Sequence, residues 1–314
     1  MAFIYSPTIE NRGEPAGFEA SKNCHRQFFF FIIMMSMKEK LEKLKRILAD
    51  YERVAIAFSG GVDSTFLLKV ARDTLPKKNV LAVSAYCEFV PSDEHAGGEK
   101  YCKENDIEYR SVPLEILKTE GVRYNPKDRC YICKKAIFTE IRKTAENYSE
   151  QLTDGADFVV CEGSNIDDLS DYRPGLKAIE ELQVKSPLRE AGLTKTDIRA
   201  LSKELNIPTW DKPSMACLAS RFVYGEELTE EKLRIVEEAE KALRNKLGNI
   251  QFRVRIHGEK PNLVARIEVP KDKIDLILEM KDLSQELKSI GFAYVTVDVD
   301  GFRSGSMNET LGIS

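Results

Sequence analysis

Short apolar runs closed by glycine-rich turns alternate with amphipathic, charged stretches through the first two thirds of the chain. A charged helix opens at Met37 (MKEKLEKLKRILADY), and Val54 to Phe58 forms an apolar run that breaks at Gly60-Gly61. The next stretch, TFLLKVARDTL, has helical spacing, so the order is strand, turn, helix. NVLAVSAY (79–86) reads as a second strand, 92–105 as a helix, 107–113 as a third strand, 131–148 as a long helix and DFVVCEGSN (157–165) as a fourth strand. TKTDIRALSKELN (194–206) is predicted helical, with Thr194 as N-cap and Asp197 at its third position. Strands alternating with helices predict an α/β unit whose parallel sheet is covered on both faces and binds ligands at the carboxyl ends of its strands. Ser59 and Gly163 both fall at that edge.

From about residue 222 the pattern changes. A helix (229–247), two strands (250–257 and 262–269) joined by GEKPN, a helix (271–290) and a last strand (292–300) make a smaller α+β unit. The predicted organisation is therefore a working domain over 37–221, a second over 222–314, and an extension over 1–36. The run FFFFIIMM at 28–35 is too short to span a bilayer and lacks the basic start of a signal peptide. The extension is expected to be poorly ordered, with a membrane-surface anchor as the rival reading.

Charge narrows the partners. The 314 residues carry 47 Lys plus Arg against 51 Asp plus Glu, a net charge of −4, whereas a protein gripping nucleic acid by its phosphates normally has a basic surplus. Neither a nucleic acid nor a membrane is expected as partner. Seven cysteines, an odd number without regular disulfide spacing, point to a reducing compartment and a cytoplasmic protein.

The sharpest motif is Ser59-Gly60-Gly61-Val62-Asp63-Ser64. The glycines let the backbone approach a ligand, and the helix that follows offers free amide hydrogens and a positive dipole end, which together hold phosphate. Asp63 beside phosphates makes sense when it holds Mg²⁺. No Walker A lysine is present, which excludes a kinase or GTPase loop. SGGVDS resembles the PP-loop signature of enzymes that cleave ATP between the α and β phosphates. Downstream, Gly163, Asn165 and Asp168 leave the fourth strand at the same edge and read either as further nucleotide contacts or as an Asx-type turn capping the next helix.

Cys130-Tyr-Ile-Cys133 and the distant Cys217 form the second constellation. A structural zinc site wants four ligands, and the remaining cysteines offer poor fourth partners. Three thiolates suit an iron–sulfur cluster with one iron left open, against the plain reading of semi-buried small side chains. The third constellation is a charged strand face. Arg253 and Arg255 share one face of their strand, Arg266 and Glu268 one face of the next, and Thr296, Asp298 and Asp300 one face of the last. That face is either solvated and laced with ion pairs or a receptor for a phosphate or carboxylate.

With these residues in hand, the chain resembles the LarE family of sulfur transferases, which act in nickel-pincer nucleotide cofactor synthesis. The likeness runs over about 38–310 and rests on SGGVDS, NPKDRCYICK (125–134), GSNIDDLSDYRPG (163–175), SPLREAGLTKTDIR (186–199), WDKPSMACLASR (210–221) and RVRIHGEKPNLVARIE (253–268). The resemblance implies a PP-loop ATP pyrophosphatase (HUP-like) domain with a smaller α+β domain. It also implies ATP- and Mg²⁺-dependent adenylation of a carboxylate of pyridinium-3,5-biscarboxylic acid mononucleotide, followed by conversion to a thiocarboxylate. Ser59, Gly60, Gly61, Asp63, Ser64, Gly163, Asn165 and Asp168 would bind the nucleotide, and Cys217, Arg253, Arg255, Arg266 and Glu268 would serve the sulfur step. Members with a single cysteine give up its sulfur, whereas members with three bind a [4Fe-4S] cluster; Cys130, Cys133 and Cys217 imply the cluster type. The family includes hexamers, so a homo-oligomer is implied. A cluster-dependent tRNA thiolase, sacrificial transfer from Cys217, an amide-forming PP-loop ligase and a non-enzymatic metal-binding module are the alternatives.

Overall fold

Four parallel strands carry the first unit. β1 (Val54–Ala57) pairs with β2 (Val80–Tyr86) on one side and β4 (Val159–Cys161) on the other, and β3 (Glu108–Pro113) pairs with β2, giving the order β3-β2-β1-β4. The computed structural model describes residues 35–152, 156–170 and 174–311. The extension expected over 1–36 lies outside the described residues up to position 34, as does Cys24. The first helix, α1, runs over 35–51 and buries Met37, Leu44 and Leu48, which share one face.

Helices cover the sheet: α2 (Val62–Thr74), α3 (Ser92–Glu104), α4 (Arg129–Ser149), α5 (Gly175–Glu181), α6 (Pro187–Glu190) and α7 (Lys195–Glu204). The near-continuous apolar character of β1 follows, because Val54, Ala55 and Ile56 have no exposed surface. Phe66, Leu67 and Leu68 of α2 are equally buried, each such side chain contributing about 1.5–3 kcal/mol. The predicted N-cap of α7 is present as a capping box: Thr194 Oγ1 accepts from the Asp197 amide at 3.1 Å, and Asp197 accepts from the Thr194 amide at 3.1 Å.

The second sheet has the order β5-β6-β7. β5 (Arg253–His257) is antiparallel to β6 (Val264–Glu268), and β7 (Tyr294–Val297) is parallel to it. α8 (Glu230–Leu247) lays Leu233, Val236, Ala239 and Leu243 against Phe252, Val254, Ile256, Ala265 and Ile267. Cys87, Phe89, Ile116, Val122, Cys133 and Leu218 join this same core, so the second sheet packs directly on segments of the first unit. The stretch 271–290, predicted as one helix, divides into α9 (Ile274–Leu278) and α10 (Leu283–Ile290). The break falls over the charged stretch 279–282, between the buried Ile277 and Leu283. Among the described residues no helix is long and apolar enough to cross a membrane.

Candidate active site

The loop Ser59–Ser64 turns at the carboxyl end of β1. Gly60 has φ +69°, a conformation that a side chain resists, and its carbonyl accepts from the Lys212 ammonium at 3.0 Å. Ser59 and Ser64 hydroxyls lie 3.1 Å apart, and Thr65 closes the turn with its amide 3.0 Å and its hydroxyl 2.7 Å from the Gly61 carbonyl. A cavity of about 650 Å³ opens above this loop, the size of a nucleotide site, lined by Ser59, Gly61, Asp63 and Ser64 and by Ser84, Ala85 and Phe138.

Gly163, Asn165 and Asp168 close the cavity from β4. A Cβ on Gly163 would lie 3.1 Å from the Ser64 amide nitrogen, so the two loops touch backbone to backbone. The Asn165 amide donates to Asp168 at 2.9 Å, Asn165 Oδ1 accepts from the Asp167 amide at 2.9 Å, and Asn165 Nδ2 lies 3.4 Å from Asp63 Oδ1. Turn formation and cavity lining thus hold together in this loop. Sequence reasoning missed Lys195. Its ammonium pairs with the Asp63 carboxylate across 132 residues and lines the cavity, so the carboxylate expected to face Mg²⁺ faces a cation here. The available signal was position: Lys195 directly follows the Thr194 N-cap, at the edge where ligands bind.

The three candidate sulfur ligands gather around a second missed residue, Arg129. α4 starts at Arg129, two residues before the predicted 131, so Cys130 and Cys133 occupy its first turns, while Cys217 precedes a tight turn over Leu218–Arg221. Arg129 is buried; its Nη2 donates to Cys130 Sγ at 3.6 Å and to Cys217 Sγ at 3.8 Å, and its Nη1 donates to the Ala219 carbonyl at 3.0 Å and to Asn125 Oδ1. Asn125 in turn donates to the carbonyls of Phe222 and Val223 at 3.1 and 2.8 Å, which fastens the two cysteine-bearing segments together. Burial opposes the Arg129 charge, but the sulfurs of Cys217, Cys130 and Cys133 outweigh it and raise its pKa. Burial, with Cys217 adding to it, pushes the Cys133 thiol well up. Cys87 packs in the same core and burial pushes its thiol up to about 11. Among the described residues no three His, Cys, Asp or Glu side chains are arranged to hold a single metal ion.

A second cavity, of about 340 Å³, adjoins Arg129 and is lined by Arg253, Arg255, Arg303, Ser220 and Tyr224. The charged face is covered on β5 and at Glu268 of β6, where Arg253, Arg255 and Glu268 are buried beneath residues 301–311, while Thr296 and Asp300 at its far edge stay exposed. The Phe302 amide donates to the Val269 carbonyl at 2.7 Å, and the Ser306 hydroxyl donates to Glu268 at 2.8 Å. Arg255 Nη2 pairs with Glu268 at 2.7 Å, leaving its Nε without a partner, while Arg266 lies 3.4 Å from Glu268 and binds Asp298. Arg253 turns instead to the Ser214 carbonyl at 2.6 Å; burial, then the nearby Arg221, pull its pKa down to about 9. Arg253 and Arg255 therefore face the cavity, with Glu268 holding Arg255 and Arg266 reaching Glu268 in turn. Ser214 borders both cavities, three residues before Cys217.

No protein-family model matches the chain. It is 38% identical over 279 residues to the pyridinium-3,5-bisthiocarboxylic acid mononucleotide synthase of Lactiplantibacillus plantarum, covering 88% of this chain and 97% of that one. The chain belongs to the LarE family. A second LarE-like relative, an uncharacterised Synechocystis protein, is 38% identical over 88% of this chain and 99% of its own. A glutamine-hydrolysing GMP synthase of Clostridium acetobutylicum is 28% identical over 244 residues, 70% of this chain and 44% of that enzyme. The LarE likeness spans both sheets, and the GMP synthase likeness accords with a PP-loop α/β fold for the first.

Proposed function

We propose that this LarE-family protein uses ATP to adenylate a carboxylate of pyridinium-3,5-biscarboxylic acid mononucleotide and then replaces the adenylate with sulfur. The observation that carries the reading is the adjacency of a phosphate-loop cavity, two thiols on one buried arginine with Cys133 one turn along the same helix from Cys130, and an arginine-lined cavity, with Ser214 common to both cavities. The substrate carboxylate attacks the α phosphorus of ATP, releasing pyrophosphate. A sulfur nucleophile then adds to the acyl-adenylate carbonyl, AMP leaves, and a thiocarboxylate remains. Amides of the Ser59–Ser64 loop and the α2 dipole would hold the phosphates, and the substrate phosphate would lie on Arg253, Arg255 and Arg303.

Mg²⁺ fits the donor set, since it is commonly held by one or two carboxylates plus phosphate oxygens. Asp63 would take the ion, and Lys195, released from Asp63, would turn to the phosphates. A [4Fe-4S] cluster also fits, because its protein ligands are spread over several irons and need thiols gathered about a common centre rather than closed on one ion. Cys130, Cys133 and Cys217 would hold it, and it would supply an open iron able to carry an extra sulfide. Arg129 would offer its N–H groups to the sulfurs. The net charge of −4 and the small arginine-lined cavity support a small anionic substrate, with no nucleic acid or membrane as partner. The same reading makes the protein a cytoplasmic homo-oligomer, in a family that includes hexamers.

The test is AMP release on anaerobically purified protein, offered either the biscarboxylated mononucleotide or unmodified tRNA. Release with the mononucleotide alone is expected; release with tRNA alone would replace this reading by the tRNA thiolase. Colourless, iron-free protein that still transfers sulfur, with Cys217 lighter by one H₂S, would replace the cluster by the sacrificial route.

A further inference from the structure

Arg221 has no exposed surface, and every nitrogen of its guanidinium is engaged. Nε and Nη2 donate to the two oxygens of Glu240 at 2.8 and 2.7 Å. Nη1 donates to the carbonyls of Ala216 and Cys217 at 2.6 and 3.0 Å and lies 2.9 Å from the Ser220 hydroxyl. Glu240, on α8, is also buried, and its Oε1 accepts from the Val254 amide at 3.0 Å. Val254 stands between Arg253 and Arg255 on β5. One buried ion pair therefore ties the peptide of Cys217 to the strand whose arginines line the second cavity.

Packing alone does not explain the pair. Holding α8 against the turn needs only apolar contact, and replacing a buried ion pair with well-packed apolar residues is often neutral or stabilising. An apolar pair could not grip the carbonyls of residues 216 and 217 or the amide of 254; the Ser220 amide and hydroxyl also hold the Cys217 carbonyl, at 3.0 and 2.8 Å, but among the described residues only the ion pair links that peptide to β5. Arg244, 4.1 Å from the Phe252 ring, and Arg253 also neighbour Glu240, yet neither bonds the Cys217 peptide.

We infer that Arg221 and Glu240 are a positioning pair that sets the Cys217 sulfur relative to the anion held by Arg253 and Arg255. The inference rests on the reading of Cys217 as a sulfur-carrying residue. Neither side chain lines either cavity, so the pair acts through the Cys217 peptide and not on substrate.

The test compares three full-length proteins in two half-reactions: substrate-dependent ATP–pyrophosphate exchange, which reports adenylation, and thiocarboxylate formation in a single turnover. The proteins are the wild type, Arg221→Lys, and the double variant Arg221→Met, Glu240→Met, each measured on its folded fraction. Lysine keeps the charge but cannot bond Glu240 twice and both carbonyls at once; the double variant removes the charges together and keeps the volume. Exchange is expected to stay at the wild-type rate in both, while thiocarboxylate formation falls about 100-fold, the cost of a misplacement near 1 Å. A merely structural pair would lose both half-reactions together with stability, and the double variant would regain both. Wild-type transfer in either variant, or a parallel loss of exchange and transfer, overturns the inference. Cys217→Ala serves as the control for the underlying reading: if it still transfers sulfur, that reading fails and the inference with it, whereas an inactive Cys217→Ala beside an active double variant removes the positioning pair alone.

Discussion

Arg129 Nη2 lies 3.8 Å from the sulfur of Cys217, 88 residues along the chain, while also reaching Cys130 at 3.6 Å. A buried guanidinium shared between two sulfurs favours negative charge there, whether on a thiolate, a bound sulfide or a cluster. Arg129→Met is expected to lower stability by about 1–3 kcal/mol, because Asn125 Oδ1 and the Ala219 carbonyl lose their donor. It should slow thiocarboxylate formation much more than AMP-forming exchange. Thermal melting and the two half-reactions check this.

Gly163→Ala tests the contact between the two loops of the nucleotide cavity. The added Cβ would sit 3.1 Å from the Ser64 amide nitrogen, a backbone atom that cannot swing aside. Overpacking of this kind costs about 1–3 kcal/mol of stability, so the melting temperature should fall by a few degrees, and displacing the Ser64 amide should lower ATP affinity about tenfold. Calorimetric titration with a non-hydrolysable ATP analogue reads the change.

Asp63 and Lys195 should separate by their metal response. Asp63→Asn is expected to cut AMP formation about 100-fold or more and to raise the Mg²⁺ concentration needed, since it loses a carboxylate ligand. Lys195→Met should cut the rate without raising the Mg²⁺ requirement, since it frees the Asp63 carboxylate of its cation. Initial rates across a Mg²⁺ titration distinguish the two.

How much of this was legible in sequence depended on distance along the chain. SGGVDS, the Thr194 capping box and the alternation of strands and helices are local, and each lies where its spacing predicted. Lys195 and Arg129 act through partners 132 and 88 residues away, which no periodicity encodes. The charged face of the second sheet could be read as alternating, but not as covered over β5 and Glu268. Only the fold of 301–311 back over the strands, with Ser306 on Glu268, decides that Glu268 is sealed and that Arg253 and Arg255 remain at a cavity. The break between α9 and α10 was hidden because charged residues surround it and no proline or glycine marks it.

His257 gives a pH signature. Its Nε2 lies 3.1 Å from Arg266 Nε, which can only donate, so the ring must accept and stay neutral at that atom. Burial, then Arg266 and Arg255, hold its pKa below the ordinary value of about 6.5. The unfolded chain therefore binds the proton first, and stability is lost as pH falls from about 6.5 toward the lower folded value. Melting temperatures from pH 8 to 5 should show this loss in the wild type and a flatter profile in His257→Gln.

The most direct measurement is a single turnover with ATP, Mg²⁺ and the biscarboxylated mononucleotide, following AMP and the substrate mass together in the wild type and in Cys217→Ala. Expected in the wild type is one oxygen of a carboxylate exchanged for sulfur for each AMP released; in Cys217→Ala, the acyl-adenylate should form and gain no sulfur. Thiocarboxylate formed at the wild-type rate by Cys217→Ala, or sulfur gained without AMP, would contradict the meeting of nucleotide activation and thiol chemistry at this edge of the sheet.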